Sequence, residues 1–484
     1  MSSTAFSSGL QLAAGIKRGD YSAVELLEYY LGRVERYNPS LNAVIELDAN
    51  RALERAKEAD AALSRGEYWG PLHGVPMTIK ESFDVAGLHT TRGNPDFRDH
   101  VASDDALSVT RLKNAGVNLF GKTNVPLDLA DFQSYNDIYG TTNNPWDQGS
   151  TPGGSSGGSA VAMAAGLSGV ENGSDIGGSI RNPAHFCGVF GHKPTWGLLP
   201  PRGHAAPGVL AQSDLAVIGP LARSAQDLEI LLRAQAGPDE IMSQGYRLEL
   251  PQAAFGELGD LRVAAMVNAD FAPVSGACEA RVEAVLEIIR SAGGRIDYDA
   301  RPDFDLQQAH DVYETLLWSV MASRASDEAY DEVAAEVSRL SAEDQSARAR
   351  NLRARVASYR DYSIANEART GMRWAWHRFF ADFDVLITPL MATPAFPHDH
   401  RPFGQRTIDV DGVDRPYFQQ LFWAGLAINS YLPATLIPTG SLGDGLPIGV
   451  QLIGPEFGDL KVLRVAQLLE DEGVRFVPPP GYDD

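Results

Sequence analysis

The sequence has only two cysteines, Cys187 and Cys278, among its 484 residues. A disulfide between them is one reading, but two isolated thiols in so long a chain are typical of proteins that keep cysteine reduced, so we expect a cytoplasmic location. No run of 18 or more apolar residues occurs, so we expect no transmembrane helix. The first residues show no basic segment leading into an apolar one, so we expect no signal peptide.

Basic residues are also scarce relative to acidic ones. The chain has 41 Lys and Arg against 63 Asp and Glu, a formal net charge of −22 at pH 7. A field of that sign repels nucleic acid and anionic membrane surfaces, so neither is expected as a partner. The sequence is 44% hydrophobic, which is enough for a large core, and its 47 glycines and 29 prolines indicate many loops rather than disorder.

Apolar patterns predict helices near the N-terminus and a mixture of strands and helices after them. Ser22 followed by Glu25 has the spacing of a capping box, and apolar residues then recur at helical spacing. Further on, short apolar runs alternate with glycine-rich turns, and the predicted strands include 43–47, 75–79, 117–120, 189–191, 261–266, 385–388, 434–437 and 448–453. This pattern predicts an α/β fold, with a mixed, twisted β-sheet core covered by helices on both faces in a single large domain.

We divide this domain into five segments. Residues 1–70 are predicted to be a helical segment that packs on the core. Residues 71–225 form the core segment that holds the glycine-rich loops described below, and 226–304 continue the α/β pattern. Residues 305–380 are predicted to be a helical layer or insertion, and 381–484 return to the core.

Two stretches rich in glycine and serine are candidates for chemistry. Residues 151–160 read Thr-Pro-Gly-Gly-Ser-Ser-Gly-Gly-Ser-Ala. A flexible linker is one reading, but the stretch runs straight into a small-residue helix, which favours a tightly packed loop. Residues 172–181 are predicted to be a second loop, in which two glycines before Ser179 let backbone N–H groups converge on one point, as in an oxyanion hole.

A nucleophilic serine needs a base. Lysine serves if it is neutral, and Lys80 follows an apolar segment at 75–79 whose burial would lower the pKa of its amine. A buried ion pair with Glu81 or Asp84 is the other reading of Lys80, and spacing alone does not decide between them. Histidine is the usual base, and the candidates near the loops are His185, His192 and His204.

Five motifs together resemble the amidase signature family. They lie, in order, at 74–80, 151–159, 173–181, 182–195 and 445–455. The resemblance is strong over about 60–225, weaker through the helical block and clear again near the C-terminus. Ser174 stands where threonine is usual in the family.

The resemblance implies a Ser–Ser–Lys amidase without cofactor or metal. Lys80 would be the base, Ser155 would follow a cis peptide bond and relay protons, and Ser179 would attack the carbonyl. It also implies hydrolysis of a linear, small-molecule amide at a C–N bond other than a peptide bond, with ester or carbamate cleavage as a side activity. The oxyanion hole would consist of the backbone N–H groups of Ile176, Gly177, Gly178 and Ser179.

Further residues are predicted to support the site. Asp175 and Arg181 match family positions and would brace the loop, although a plain salt bridge is the other reading. Ser156 is expected in the same hydrogen-bond network. Aromatic residues expected in the substrate pocket, with ordinary core packing as the alternative, are Phe132, Tyr135 and Trp423, the last within the aromatic-rich segment 418–423.

Other motifs point to different chemistry. Residues 116–123 fit the P-loop pattern, but 117–120 look like a strand and Pro126 follows, so ATP binding is not expected. Residues 153–157 fit the G-x-S-x-G elbow of α/β-hydrolase esterases, which we keep as an alternative mechanism although no strand precedes it. The histidine such an enzyme needs would be His377, His398 or His400. The His398-Asp-His400 sequence could also ligate a metal, but a proline-rich loop of this kind is typically a solvated turn.

A second alternative is the glutaminase subunit of a tRNA-dependent amidotransferase, which shares the family motifs and a similar length. A homodimer is left open. A catalytically silent scaffold is not favoured, because all three triad residues are present.

Overall fold

The computed structural model describes residues 4–441 and 445–483. The helices are α1 (Gly9–Arg18), α2 (Ala23–Leu41), α3 (Ala49–Ser64), α4 (Leu107–Asn114), α5 (Gly157–Ala164), α6 (Arg181–Cys187), α7 (Ala225–Gln235), α8 (Gly276–Ser291), α9 (Leu306–Ala322), α10 (Asp327–Val337), α11 (Ala347–Arg355), α12 (Tyr359–Asp382), α13 (Leu421–Ile428) and α14 (Asp459–Asp471).

The strands are β1 (Val44–Leu47), β2 (Pro76–Lys80), β3 (Asn118–Thr123), β4 (Tyr135–Asn136), β5 (Gly140–Thr141), β6 (Glu171–Asp175), β7 (Phe190–Lys193), β8 (Val217–Ala222), β9 (Arg262–Ala265), β10 (Arg295–Asp297), β11 (Val385–Thr388), β12 (Thr407–Val410), β13 (Val413–Pro416), β14 (Ala434–Ser441) and β15 (Pro447–Ile453).

Eight of these strands form one mixed sheet in the order β10-β9-β11-β15-β14-β7-β8-β6. Strand β9 pairs in parallel with β10 and β11, and the other pairs are antiparallel. A second sheet, β1-β3-β2, lies beside β6, and an isolated bridge joins Met77 of β2 to Val170, the residue before β6. The large mixed sheet flanked by helices in a single domain confirms the predicted fold class.

Two short helices lie wholly inside the protein and position the site. Every residue of α5 and α6 is buried. Helix α5 can lie against the end of β3 because its residues are small: a Cβ atom on Gly158 would lie 2.3 Å from the backbone nitrogen of Asn124. The loops that precede these two helices carry Ser155 and Ser179, so close helix packing brings the two glycine-rich stretches together.

Several local predictions are confirmed. Ser22 and Glu25 form a reciprocal capping box at the start of α2. The apolar runs at 75–79 and 385–388 coincide closely with β2 and β11. The region 305–380 holds α9, α10, α11 and most of α12.

One prediction needs correction. The segment 172–181 is not a loop throughout, because its first four residues lie in β6. In the segment 116–123, which fits the P-loop pattern but was predicted to contain a strand, Lys122 lies inside β3, where its amine contacts the carbonyl of His89 and lies 3.1 Å from Oγ1 of Thr90. Among the helices of the described ranges, none combines the length and apolar character needed to cross a membrane.

Candidate active site

Lys80 is the last residue of β2, and its side chain is completely buried. Its Nζ atom lies 2.7 Å from Oγ of Ser155 and 2.9 Å from Oγ of Ser174. The ion-pair reading fails, since Lys80 forms no salt bridge within the described ranges. Glu81 instead accepts hydrogen bonds from the backbone N–H groups of Thr91 and Arg92. The amine therefore faces two hydroxyl groups rather than a carboxylate.

The surroundings of Lys80 favour the uncharged amine. Burial lowers the pKa of Lys80 well below its usual value, because the ammonium loses its hydration. Three carboxylates, those of Asp175, Glu171 and Glu81, oppose this lowering, whereas Arg92 adds to it. A neutral amine has a lone pair, so it can accept a proton from the Ser155 hydroxyl.

The loop before α5 holds Ser155 in place. The peptide bond between Gly154 and Ser155 is cis. The Gly154 N–H donates to Oδ1 of Asn182 (2.9 Å), and the Ser134 hydroxyl donates to the Gly153 carbonyl (2.9 Å). A Cβ atom at position 154 would lie only 2.4 Å from the carbonyl oxygen of Asp131, so only glycine fits there. This stretch is a packed loop, and the linker reading does not apply.

Ser179 lies in the turn between β6 and α6 and is 7% exposed. Its carbonyl accepts a hydrogen bond from the Ser156 N–H (3.1 Å), which ties this turn to the loop that carries Ser155. The hydroxyls of Ser155 and Ser179 line the same cleft, of about 680 Å³. Within the described ranges, no hydrogen bond joins their Oγ atoms, so the structure places the two serines together without a direct bond between them.

Asp175 and Arg181 form a buried bidentate ion pair, with Nη2 to Oδ1 at 2.9 Å and Nε to Oδ2 at 3.0 Å. Although burial alone would raise the pKa of Asp175, Arg181 holds it below its usual value. The carboxylate also accepts the backbone N–H groups of Gly178 (2.8 Å) and Ile180 (3.1 Å). Asp175 is therefore bonded both to Arg181 and to the turn that carries Ser179.

This arrangement changes the expected set of oxyanion donors. The Gly178 N–H is already bonded to Asp175, so it is not directed at a ligand. In the described part of the chain, the N–H groups of Ile176, Gly177 and Ser179 have no protein acceptor. The Tyr313 hydroxyl, on α9, donates to the Ile176 carbonyl (2.9 Å) and fixes the orientation of that peptide. Sequence reasoning missed Tyr313, which no local motif marks.

A second, apolar cavity of about 60 Å³ adjoins Ser179. It shares Ser179, Ile176, Leu129 and Met321 with the large cleft, so the two cavities meet at Ser179. Of the aromatic residues predicted for the pocket, one lines this cavity. Its apolar walls include Phe132, Leu317, Trp318, Phe418 and Leu421.

Tyr135 and Trp423 do not line either cavity, which corrects their assignment to the pocket. Trp423 is completely buried in a core cluster, where its indole N–H donates to the Ala272 carbonyl (3.0 Å). The Tyr135 hydroxyl accepts a hydrogen bond from Arg406 (2.6 Å), and its ring stacks on His400 with centroids 3.8 Å apart. Both side chains support the fold around the site.

The three histidines near the glycine-rich loops have other partners. His185 is buried between the Gly449 and Thr393 carbonyls, and His192 contacts Thr435 and Asp459. Only His204 lines the large cleft, where its Nε2 atom lies 2.9 Å from Oγ of Ser82. Ser155 has a lysine partner, and within the described ranges it has no histidine partner, which disfavours the esterase reading of 153–157.

The more distant histidines do not gather into a site. His398 contacts Oδ1 of Asn143 (3.1 Å), while His400 stacks on Tyr135. His377 packs edge-on against Trp374 on α12. Over residues 4–441 and 445–483, no three His, Cys, Asp or Glu side chains form a group that could hold a metal ion.

Several known proteins are similar to this chain over most of its length. The family described as Amidase matches residues 25–463. Similar curated proteins include the indoleacetamide hydrolase of Bradyrhizobium diazoefficiens, 33% identical over 96% of this chain and 86% of that protein. The acylamidase of Rhodococcus erythropolis is 32% identical over 96% and 94%. A glutamyl-tRNA(Gln) amidotransferase subunit from Carboxydothermus hydrogenoformans is 32% identical over 96% of both chains.

A solved structure shows the same architecture. The 6-aminohexanoate cyclic dimer hydrolase, determined with its substrate, superposes with a TM-score of 0.76 at 27% identity, covering 99% of this chain and 98% of the other. These similarities extend over nearly the whole chain, so they concern the complete domain and not a single motif.

Proposed function

The chain belongs to the amidase signature family, and from this we propose that it hydrolyses small carboxylic amides through an acyl-enzyme on Ser179. The observation that carries the proposal is the contact between a buried lysine amine and a serine hydroxyl in the cleft that also contains Ser179. A lysine whose pKa is lowered by burial can act as a base near neutral pH without a histidine.

In the proposed acylation step, neutral Lys80 accepts the proton of Ser155 while Ser155 accepts the proton of Ser179. The Ser179 oxygen then attacks the carbonyl carbon. No hydrogen bond joins the Oγ atoms of the two serines to each other, so the relay requires a side-chain rotation that brings them within hydrogen-bond distance when substrate binds. The oxyanion that forms would face the free N–H groups of Ile176, Gly177 and Ser179.

The C–N bond breaks as protonated Lys80 returns its proton, through Ser155, to the departing nitrogen. The acyl group stays on Ser179 as an ester, and the amine leaves. Water then attacks this ester and gives up its proton to the same relay. The acid is released and Ser179 recovers its proton, so one amide and one water yield one acid and one amine.

The two cavities suggest how the substrate is oriented. Ser155 delivers the proton to the leaving nitrogen, and it lines the large cleft but not the apolar cavity. The amine portion should therefore lie in the large cleft. The acyl portion should then lie in the apolar cavity. Its apolar walls favour a hydrocarbon group, and its volume of about 60 Å³ favours a small acyl group.

A glutaminase subunit is the second candidate, supported by the similar amidotransferase subunit. Glutamine would place its charged α-ammonium and α-carboxylate on the acyl side. The ionised side chain in that cavity is Asp131, which already accepts hydrogen bonds from Arg406 (2.7 Å) and Tyr417 (2.6 Å). Burying two unpaired charges against hydrocarbon is unfavourable, so we favour an amidase that works without a tRNA-binding partner.

A hydrolysis screen tests the proposal. It would contain aliphatic and aryl amides of increasing acyl length, a cyclic amide, glutamine, and matched esters and carbamates, since the restriction to linear amides and the side activities remain predictions. We expect turnover of amides with small apolar acyl groups and none of glutamine. Ser179→Ala should abolish both turnover and labelling by a fluorophosphonate. Labelling retained at another serine would refute the assignment of the nucleophile.

Two further expectations stay predictions. Sedimentation of the purified protein tests whether it forms a homodimer. Fractionation of cells that express the full chain tests the cytoplasmic location.

A further inference from the structure

We propose that Arg92 binds a carboxylate on the amine portion of the substrate, so that the preferred substrates are amides of amino acids with small apolar acyl groups. The orientation of the substrate in this inference is taken from the proposed function. The recognition of a carboxylate is inferred from the surroundings of Arg92.

The backbone around Arg92 is held in an uncommon conformation. Its φ of 57° lies in the left-handed region, which residues other than glycine seldom adopt. The Arg92 N–H donates to Oε2 of Glu81 (2.7 Å), and the Thr91 N–H donates to Oε1 of the same side chain. Glu81 directly follows Lys80, so Arg92 is anchored to the strand end that carries the amine. A residue kept in such a conformation beside reacting groups is a candidate for function.

The guanidinium of Arg92 is poorly satisfied by the protein. Its Nε atom is buried without a hydrogen-bond partner, and Nη2 makes only a long contact, 3.5 Å, to the Asp128 carbonyl. Arg92 forms no ion pair with any described residue. The neighbouring carboxylates are engaged elsewhere: Glu81 binds backbone N–H groups, and both Asp128 oxygens accept from Nδ2 of Asn94.

The other charges of the cleft do not neutralise Arg92. Asp175 pairs with Arg181, and Asp96 lies at the exposed rim. Arg202 pairs with Glu240, whereas Arg324 is exposed at the mouth and adds positive charge. Asp96 and Asp128 keep their own negative charge, but neither forms an ion pair with Arg92, so among the described residues its guanidinium has no carboxylate bonded to it.

A partly buried guanidinium with unused donors costs free energy, and a ligand acceptor that reaches its terminal nitrogens would recover part of it, whereas Nε is buried. Burial lowers the pKa of Arg92, with Arg324 adding to the effect and Asp128 and Glu81 opposing it, yet a guanidinium stays charged at any physiological pH. The acceptor that suits its planar fork best is a carboxylate, which binds it with two parallel hydrogen bonds.

The position of Arg92 assigns this carboxylate to the leaving amine. Arg92 lines the large cleft together with Ser155, and it does not line the apolar cavity. A substrate with its acyl group in the apolar cavity and its nitrogen near Ser155 therefore directs the substituent on nitrogen toward Arg92. An amine that carries a carboxylate one to three methylenes from nitrogen has the required chemistry.

The test compares substrate pairs that differ only at this end. N-butyryl-glycine, N-butyryl-β-alanine and N-butyryl-4-aminobutyrate would be assayed beside N-ethyl, N-propyl and N-butyl butyramide, in which a methyl replaces each carboxylate. We expect kcat/KM to favour the carboxylate by about 10- to 100-fold in the best-matched pair. Arg92→Met should remove that preference, while Arg202→Met, which deletes an arginine already paired with Glu240, should keep it. Equal kcat/KM within all three pairs in the wild-type enzyme overturns the inference.

Two further measurements keep the inference separate from the proposed function. If no compound is hydrolysed, the proposed function fails. The inference about Arg92 is then tested by calorimetry, which measures the binding of the carboxylates and of their alkyl counterparts to Ser179→Ala. Tighter binding of a carboxylate that depends on Arg92 upholds the inference, and equal binding rejects it. If Arg92→Met melts below the assay temperature, Arg92→Gln replaces it, since glutamine is polar but uncharged. An undiminished carboxylate preference in Arg92→Gln also counts against the inference.

Discussion

The Nζ atom of Lys80 lies 2.7 Å from the Oγ atom of Ser155, in a position where the lysine has no exposed surface. A charged ammonium in that place would lack hydration and would have no carboxylate bonded to it. The same contact is favourable for an uncharged amine, which can accept the proton of the hydroxyl. The pH at which Lys80 loses its proton should therefore control the reaction.

The first prediction concerns the pH dependence of hydrolysis. Burial lowers the pKa of Lys80 well below its usual value, so the active, neutral form exists from a lower pH than for an exposed lysine. We expect kcat/KM for a neutral amide to rise with pH through this lowered pKa and then to level off. The measurement is kcat/KM from pH 5 to 10 with a substrate that does not titrate. A rate that falls steadily as the pH increases would contradict a neutral lysine base.

The second prediction is that Lys80→Met stabilises the fold while it destroys activity. Between the lowered folded pKa and the ordinary pKa, the unfolded chain binds a proton at Lys80 and the native chain does not. The contribution of Lys80 to the free energy of unfolding therefore rises with pH and is lowest at acidic pH. Removing the amine should raise the melting temperature near neutral pH, flatten its dependence on pH, and lower kcat/KM by about 10³- to 10⁵-fold.

Thermal melts of Lys80→Met at several pH values check this result. Lys57→Met serves as the control, because Lys57 is an exposed residue of α3 paired with Glu54. It should alter neither activity nor the pH dependence of melting. A Lys80→Met protein that melts lower than the wild type at every pH would show that the amine is a structural donor and not a buried base.

The sequence predicted the fold class because most strands of the core are apolar runs, such as those that became β2, β11 and β15. Strand β6 was missed because its residues, Glu-Asn-Gly-Ser-Asp, are polar although all are buried. Their partners come from elsewhere in the chain. Glu171 accepts the Thr78 hydroxyl (2.6 Å), and Asn172 Nδ2 donates to Oε1 of Gln235 (2.9 Å). A pattern of apolar residues cannot reveal polar side chains that are satisfied by distant ones.

The residues of the site also fall into those that sequence motifs predicted and those that depend on contacts between distant parts of the chain. Ser155, Asp175, Ser179 and Arg181 lie in motifs that are recognisable in the sequence. Tyr313 was not predicted, because its contact with the turn spans 137 residues and follows from how α9 packs. The aromatic residues of the sequence did not show which side chains line the pocket. Phe418 and Trp423 lie five residues apart, and only the fold decides which of them faces the cavity.

The third prediction concerns Tyr313, whose hydroxyl fixes the Ile176–Gly177 peptide near Ser179. Tyr313→Phe removes this hydrogen bond and keeps the ring. We expect kcat to fall about tenfold with little change in KM, because the Gly177 N–H, which shares a peptide group with the Ile176 carbonyl, would be less well aimed at charge that develops only in the transition state. Steady-state kinetics would be compared with Tyr330→Phe, a change on the exposed face of α10. A higher KM at unchanged kcat would instead indicate a role in substrate binding.

The fourth prediction separates lysine from histidine as the base. His204 lines the cleft with Ser179 and contacts the Ser82 hydroxyl, so it is the one nearby histidine that could compete with Lys80. Burial lowers the pKa of His204 well below its usual value, and the charge of Arg92 lowers it further. We expect His204→Asn to reduce kcat/KM by less than about tenfold. A loss as large as that of Lys80→Met would favour the histidine mechanism.

The fifth prediction concerns the apolar cavity and follows from the proposed orientation of the acyl group. Phe418 forms one wall, and its ring contacts Phe132 and Trp318. Phe418→Ala should enlarge the cavity and move the preferred acyl chain toward longer homologues. Each additional buried methylene stabilises the transition state by about 0.8 kcal/mol, or about fourfold in kcat/KM.

The measurement is kcat/KM for N-ethyl amides with acyl groups from acetyl to octanoyl. The control is Phe457→Ala, since Phe457 is exposed and lies outside both cavities. An unchanged acyl profile in Phe418→Ala would mean that the acyl group lies elsewhere, and a shift in the preferred amine would mean that the substrate binds in the reverse orientation.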